Sequence, residues 1–378
     1  MLLGHQVTVI SGPPYPQLVE GVRLVELPSL DLYARESMAV SLSELRDPLG
    51  RREWISKLTG GFAEPWTFGE RARDWILEHA NDFDVVHDNQ TLADGILDLQ
   101  RSGVPVVTTI HHPITRDRRV ALSGETRWWW RLLIRRWHRF LSMQARVASQ
   151  LDHIVTVSQL SATDIATDFG VMPNTISVVP NGVDTALFKP LPGVSRRPRQ
   201  VIATASADAP LKGLAVLLRA FKNLVDADPS TELVLIARPK PGGDTEALIA
   251  QLGLRDRIRF VGDASHEQIN RLYAESAVAV VPSLYEGFGL PAVEAMAAGI
   301  PLVSTDGGAL KEVVGEGGLQ VRAGDSAALA DAMQHVLSDS ELAQALAKRG
   351  LARARQQFCW SVCAGQMVDL YRVSIAAC

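Results

Sequence analysis

"SAVAVVPSLYEGFGLPAVEAMAAG", residues 276–299, decides how this chain folds. Its opening run is apolar without alternation, the pattern of a strand buried on both faces of a parallel sheet. The strand ends at Ser283. A loop then carries Glu286-Gly287-Phe288-Gly289, Pro291 stands where the first helical residue belongs, and Gly299 closes the helix. Glycines in such a loop let the backbone approach a ligand closely. The unpaired N–H groups around Leu290 to Val293 lie at the positive end of the helix dipole and suit an anion such as a diphosphate. Glu286 and Glu294, eight positions apart, flank that place from two sides. Carboxylates are poor phosphate ligands but good acceptors from hydroxyls, so the pattern calls for a ligand with hydroxyls on both sides of a diphosphate. A nucleotide sugar has that form. Either glutamate alone reads as a solvated loop residue or as a complement to the dipole; the constellation at a strand's C-terminal end points to a ligand.

Outward from this stretch, short β-branched strands alternate with helical patterns. "HQVTVI", "DVVHD", "VPVVTTIH" and "HIVTVS" fall in the first half; "QVIATAS", "ELVLIA", "RIRFVG", "AVAVVPS" and "IPLVST" fall in the second. The pattern predicts an α/β protein of two doubly wound, Rossmann-like parallel-sheet domains facing each other across a cleft. The break is expected within "KPLPGVSRRPRQ", residues 189–200. An N-terminal domain then spans 1–188 and a C-terminal one 189–360, with a terminal helix over 361–378 packing back on the first. The opening "LLGHQVTVI" reads as a helix end followed by a strand, so the chain is expected to begin after its first βα unit.

The bulk numbers bound the rest. At 378 residues the chain exceeds what one core organises, and 47% apolar with 21% charged residues is ordinary globular composition. A net charge of −4 gives no general attraction to nucleic acid. No run reaches the roughly 18 apolar residues of a spanning helix. Three cysteines, Cys359, Cys363 and Cys378, make a poor disulfide framework and a poor metal site, so idle thiols in a reducing cytoplasm are expected.

"EGFGLPAVE" resembles the E-x7-E motif of the retaining glycosyltransferases of family four, which have the two-domain GT-B fold. The likeness continues through "VPNGVD" (179–184), "LKG" (211–213), "FVG" (260–262), "STDGGALKEVV" (304–314) and the Trp360…Tyr371 terminal helix. It implies hexose transfer from a nucleoside diphosphate sugar, with retention, and with neither a metal nor any other cofactor. It also implies that Glu294 holds the ribose hydroxyls and that Glu286 sits against the transferred sugar. Backbone N–H groups of Gly287, Phe288 and Gly289 would meet sugar hydroxyls and that of Leu290 the diphosphate, with Val261 and Asn181 also on the donor. Lys212 matches the lysine that neutralises the leaving group, a cation placed where charge develops. His111 in "VVTTIHHPIT" stands where the family has a histidine facing the donor, at the end of a strand; His112 reads equally well as a local cap. The arginine usual five residues before the lysine is replaced by Ala207; either Lys212 and the helix N-terminus suffice, or a basic side chain from elsewhere, Arg238 or Lys240, substitutes. The alternatives are a catalytically silent nucleotide-sugar binder and, on the same fold, a phosphorylase or a nucleotide-sugar epimerase, although the epimerase usually lacks the E-x7-E motif and no cofactor-lysine motif of a phosphorylase is present.

The stretch 116–148, "RDRRVALSGETRWWWRLLIRRWHRFLSMQARVA", holds nine arginines against two acids, with four tryptophans interleaved. Helical spacing places Trp130, Leu133, Trp137 and Phe140 along one face. Two readings stay open: an interface, such as a helix lying on an anionic membrane, and a core-facing stripe with a solvated basic back. Nothing else in the chain supports nucleic acid. The acceptor is unassigned.

Overall fold

The computed structural model describes residues 3–35, 39–205 and 209–378. The chain forms two compact units, one of residues 1–156, 162–177 and 369–378 and the other of 157–161 and 178–368.

In the first unit, β1 (Thr8–Ser11) and β2 (Arg23–Glu26) pair in parallel as a two-stranded sheet. β3 (Val86–Asn89), β4 (Val106–Thr109), β5 (Ile154–Thr156) and β6 (Ile176–Val178) make a second sheet in that order. Ile10 and Val25 pack against one core that includes Leu27, Ile76, Ile96, Leu99, Val106 and Ile154, so both sheets rest on the same apolar cluster. The C-terminal helix Trp360–Ala377 contributes its end: the Tyr371 hydroxyl lies 2.6 Å from His87 Nδ1, and Ser374 Oγ donates to the Val106 carbonyl at 3.4 Å.

The basic stretch is not one helix. It folds as Thr115–Ser123, Trp128–Trp137 and Phe140–Ala148, so Phe140 leaves the face expected to carry it with Trp130, Leu133 and Trp137. Ring packing accounts for the break. Trp137 stacks on Phe62 at 5.0 Å and meets Tyr33 edge-on at 5.1 Å, while Phe140 approaches Phe62 edge-on from the next helix at 5.6 Å. Trp137 nevertheless remains 36% exposed. At the other end Trp128 is 72% exposed and Leu132 52%, and no residue of Trp128–Trp137 is buried.

The second unit carries six parallel strands: β7 (Arg197–Thr204), β8 (Glu232–Ile236), β9 (Ile258–Val261), β10 (Ser276–Val281), β11 (Leu302–Thr305) and β12 (Leu319–Val321). β7 begins inside the stretch 189–200, whose last residues are strand rather than linker. The order β12-β11-β10-β7-β8-β9 is the doubly wound order, with its switch point between β7 and β10. Successive side chains of these strands enter different cores. Ile202, Val234 and Ala279 join one cluster, while Val201, Leu233 and Val278 join the other. Both faces are thus covered, which is why the strands read as continuous apolar runs. Two Rossmann-like parallel-sheet units are the expected fold class. Among the described residues no helix is long and apolar enough to cross a membrane.

Candidate functional site

Ligands of doubly wound sheets bind beyond the strands' C-terminal ends at the switch point, which here means the loops after β7 and β10. After β7 the chain passes through residues 206–208, outside the described residues, so the position of Ala207 is not among those the structure places. It then forms a tight turn, Pro210–Lys212, and enters the helix Leu214–Ala227 through Gly213 at φ +66°. A Cβ on Gly213 would stand 1.9 Å from the Pro282 carbonyl oxygen, so only glycine allows the loops this approach. The Leu284 amide donates to the Leu211 carbonyl at 2.8 Å. Held in this way, Lys212 Nζ donates to Glu286 Oε1 at 2.8 Å, and Ser283 Oγ donates to the same oxygen at 2.9 Å.

The loop around Glu286 is fixed from several sides. Its carbonyl accepts from the Ala309 amide at 2.8 Å, and Gly308, at φ +70°, lies where a Cβ would come within 2.4 Å of that oxygen. The Gly287 carbonyl accepts from Ser158 Oγ at 2.7 Å and Ser161 Oγ at 3.1 Å. Phe288 is a core residue, edge-on to Phe358 at 5.7 Å, so only its backbone is left for a ligand. Gly289, at φ +100°, caps the helix Leu290–Ala297, in which Pro291 is the second residue rather than the first. The amides of Ala292 and Val293 donate to the Gly289 carbonyl, so the expected run of unpaired N–H groups shifts toward the loop. Among the described residues the N–H groups of Gly287, Phe288, Gly289 and Leu290 have no protein acceptor.

Glu294, one turn into that helix, is half-buried, and burial raises its carboxyl pKa against the opposing pull of His266. Its neighbour Tyr273 is fully buried and bonds through its hydroxyl to Thr204 Oγ1 at 3.2 Å and the Pro291 carbonyl at 3.4 Å. A cavity of about 410 Å³ lies among these groups, lined by Lys212, Glu286, Thr204, Ile236, Arg238 and Pro291 among others. Ser158, Ser161 and Thr204 had no signal in the sequence, because their partners are remote in the chain.

Val261 and Asn181 were also expected on the donor. Val261 ends the edge strand β9 and packs against a core cluster. Asn181 precedes Gly182, which lies against the Trp360 ring. Like Glu294 and residues 287–290, neither is among the residues that line the cavity. A second cavity of about 420 Å³ includes Arg349 and Arg353, but the Arg353 guanidinium is committed to the Val313 and Glu312 carbonyls at 2.8 and 2.7 Å. Among the described residues no group of three or more His, Cys, Asp or Glu side chains could hold a metal ion.

In the first unit His111 follows β4. Its amide donates to Gln90 Oε1 at 2.7 Å, and its Nε2 lies 2.9 Å from Asn89 Oδ1. With that oxygen as acceptor, Nε2 carries the proton and Nδ1 is left as an acceptor. Burial, and then the charge of His112, lowers the pKa of His111 and favours the neutral ring. His112 turns the other way, with Nε2 3.5 Å from Asp117.

Residues 2–187 match the family described as Glycosyltransferase Family 4, and residues 193–353 match Glycosyl transferases group 1. The chain is 46% identical over 382 residues to an MMP alpha-(1->4)-mannosyltransferase of Mycolicibacterium hassiacum, covering 99% of this chain and 92% of that protein. It is 30% identical over 393 residues to a D-inositol 3-phosphate glycosyltransferase of Saccharomonospora viridis, covering 98% and 84%. Among solved structures, sucrose-phosphate synthase from Thermosynechococcus elongatus superposes with a TM-score of 0.74 at 23% identity, covering 100% of this chain and 91% of that one. Anabaena HepE in complex with UDP-glucose gives 0.60 at 22% identity, covering 79% and 81%. At those identities the two structures speak for the fold alone.

Proposed function

The chain belongs to glycosyltransferase family four, and we propose that it moves a hexose from a nucleoside diphosphate sugar to an acceptor hydroxyl with retention at the anomeric carbon. Glycosyl transfer itself follows from the family and from the 46% identical mannosyltransferase. Mannose as the hexose rests on that relative's name. The observation that carries the reading is Lys212 held 2.8 Å from Glu286 at the switch point, beside four successive backbone N–H groups without an acceptor among the described residues.

In this reading Leu290 N–H and Lys212 receive the diphosphate, and the N–H groups of Gly287, Phe288 and Gly289 receive sugar hydroxyls. Glu294 accepts from the ribose. Lys212 stabilises the charge that grows on the diphosphate as the bond from anomeric carbon to phosphate oxygen breaks. The acceptor oxygen bonds to the same face of that carbon, and its proton passes to the departing diphosphate. No carboxylate nucleophile is assigned. His111, favoured as the neutral ring, serves as a hydrogen-bonding group of the first unit. Lys212 and the helix N-terminus face the diphosphate with positive charge, and the reading assigns no metal to it.

Two experiments bear on it. Transfer from GDP-α-mannose or UDP-α-glucose, with the product's anomeric configuration read by NMR coupling, should give an α-linked product; a β-linked product would contradict retention. Glu294→Ala should weaken GDP or UDP binding by about 1.5–3 kcal/mol. Because the carboxyl pKa is raised, its ionised form is lost on acidification sooner than for a free glutamate. Wild-type affinity should therefore fall more steeply than that of Glu294→Gln as calorimetry is taken from about pH 7.5 to about pH 5. Parallel curves for the two proteins would remove Glu294 from the ribose.

We also infer that the helix Trp128–Trp137 meets an anionic membrane surface. It has exposed Trp128, Trp129 and Leu132, no acidic residue, and Arg131, Arg135 and Arg136 beside them. The protein should sediment with vesicles containing phosphatidylglycerol and not with pure phosphatidylcholine. Equal behaviour of Trp128→Ser/Trp129→Ser and wild type would set this aside.

A further inference from the structure

The cation assigned to the donor's diphosphate is already paired. Lys212 Nζ donates to Glu286 Oε1 at 2.8 Å, and the Glu286 side chain is only 11% exposed. Together the two carry no net charge, while a nucleoside diphosphate brings at least two negative ones. The backbone N–H groups of the Glu286 loop and the helix dipole supply partial charge only. A second full positive charge in the same cavity is the complement that the ligand's chemistry calls for.

Arg238 is in that cavity with Lys212 and Glu286. It lies two residues beyond the end of β8, the strand next to β7, and the Ala205 amide donates to the Ile236 carbonyl at 3.3 Å where the two strands finish. The guanidinium therefore comes from the strand end neighbouring the one that leads to Lys212. Space is made for it at Gly262, where a Cβ would stand 2.8 Å from Arg238 Nε. Its partner is Asp263, and the pair is exposed, Arg238 by 64% and Asp263 by 72%. An exposed pair of this kind is held weakly and is screened by salt, so the arginine can exchange Asp263 for a better anion. Guanidinium and phosphate oxygens match in geometry and can bond through two parallel N–H groups.

We propose that Arg238 is a second phosphate-binding residue of the donor site, released from Asp263 when the diphosphate enters beside Lys212. The inference rests on the donor reading given above and adds a residue to it. Arg238 acts on substrate binding and on the leaving group's charge, and no covalent step passes through it.

Isothermal calorimetry with GDP and UDP, and with GMP and UMP as controls, tests it. Arg238→Ala should lose about ten- to a hundredfold in affinity for whichever diphosphate binds wild type, and lose more for the diphosphate than for the monophosphate. Arg238→Lys should recover part of that loss, because it keeps the charge but not the paired N–H groups. Asp263→Asn should bind more tightly than wild type, because it frees the arginine. Unfolding midpoints without nucleotide should stay together across the series. Unchanged diphosphate affinity in Arg238→Ala would overturn the proposal. A loss in Arg238→Lys as large as in Arg238→Ala, equal for mono- and diphosphate, would also overturn it and point to stacking on the base. If wild type binds no nucleoside diphosphate at all, the donor reading itself fails. If wild type binds and Arg238→Ala binds equally, only the role of Arg238 fails.

Discussion

The amide of Leu284 donating to the carbonyl of Leu211 is the contact on which the donor-side geometry rests. It joins the loops that follow β7 and β10, two strands paired at the centre of the sheet. It can form only because Gly213 offers no side chain to the Pro282 carbonyl 1.9 Å from where a Cβ would stand. With the backbones so close, a lysine and a glutamate 74 positions apart meet at 2.8 Å. The same approach sets Ser283 on the glutamate, and the four amides after the glutamate have no acceptor among the described residues.

The sheet order explains why the contact lies where it does. Strands added outward from β7 in one direction and from β10 in the other leave their connections diverging at the switch point, and the C-terminal ends of these two strands are free of crossing helices. Burial on both faces fixes the strands through two separate cores, so their ends are rigid supports for the loops. The reactive groups themselves sit on loops, and the serines at 158 and 161 hold one of these loops by its Gly287 carbonyl.

Much of this was legible in the sequence where the information is local. The turn Glu286–Gly289 and the helix after it are written in consecutive residues, and the apolar strands announce the parallel sheets of both units. β2, β6 and β12 passed unseen; each lies at a sheet edge and none of their residues is fully buried, so they lack the apolar run of a strand covered on both faces. Long-range pairings were equally hidden: Ser158 with Gly287, Tyr273 with Thr204, and the aromatic group of Tyr33, Phe62, Trp137 and Phe140. That last group misled the reading of 116–148, since helical spacing alone cannot show that the chain turns after Trp137. The unpaired amides were expected one turn too late, because the Gly289 carbonyl takes the amides of Ala292 and Val293.

The central claim is that the nucleotide sugar is held by the second unit, at the loops after β7 and β10. Amide hydrogen exchange with and without saturating GDP or UDP tests it most directly, since a bound donor must slow exchange where it accepts N–H bonds. The account predicts slowed exchange confined to peptides covering 210–214 and 284–294, with the helix Ser340–Gln357 unchanged. Unaltered exchange over 284–294 together with protection around Arg349 and Arg353, at the other cavity, would contradict it.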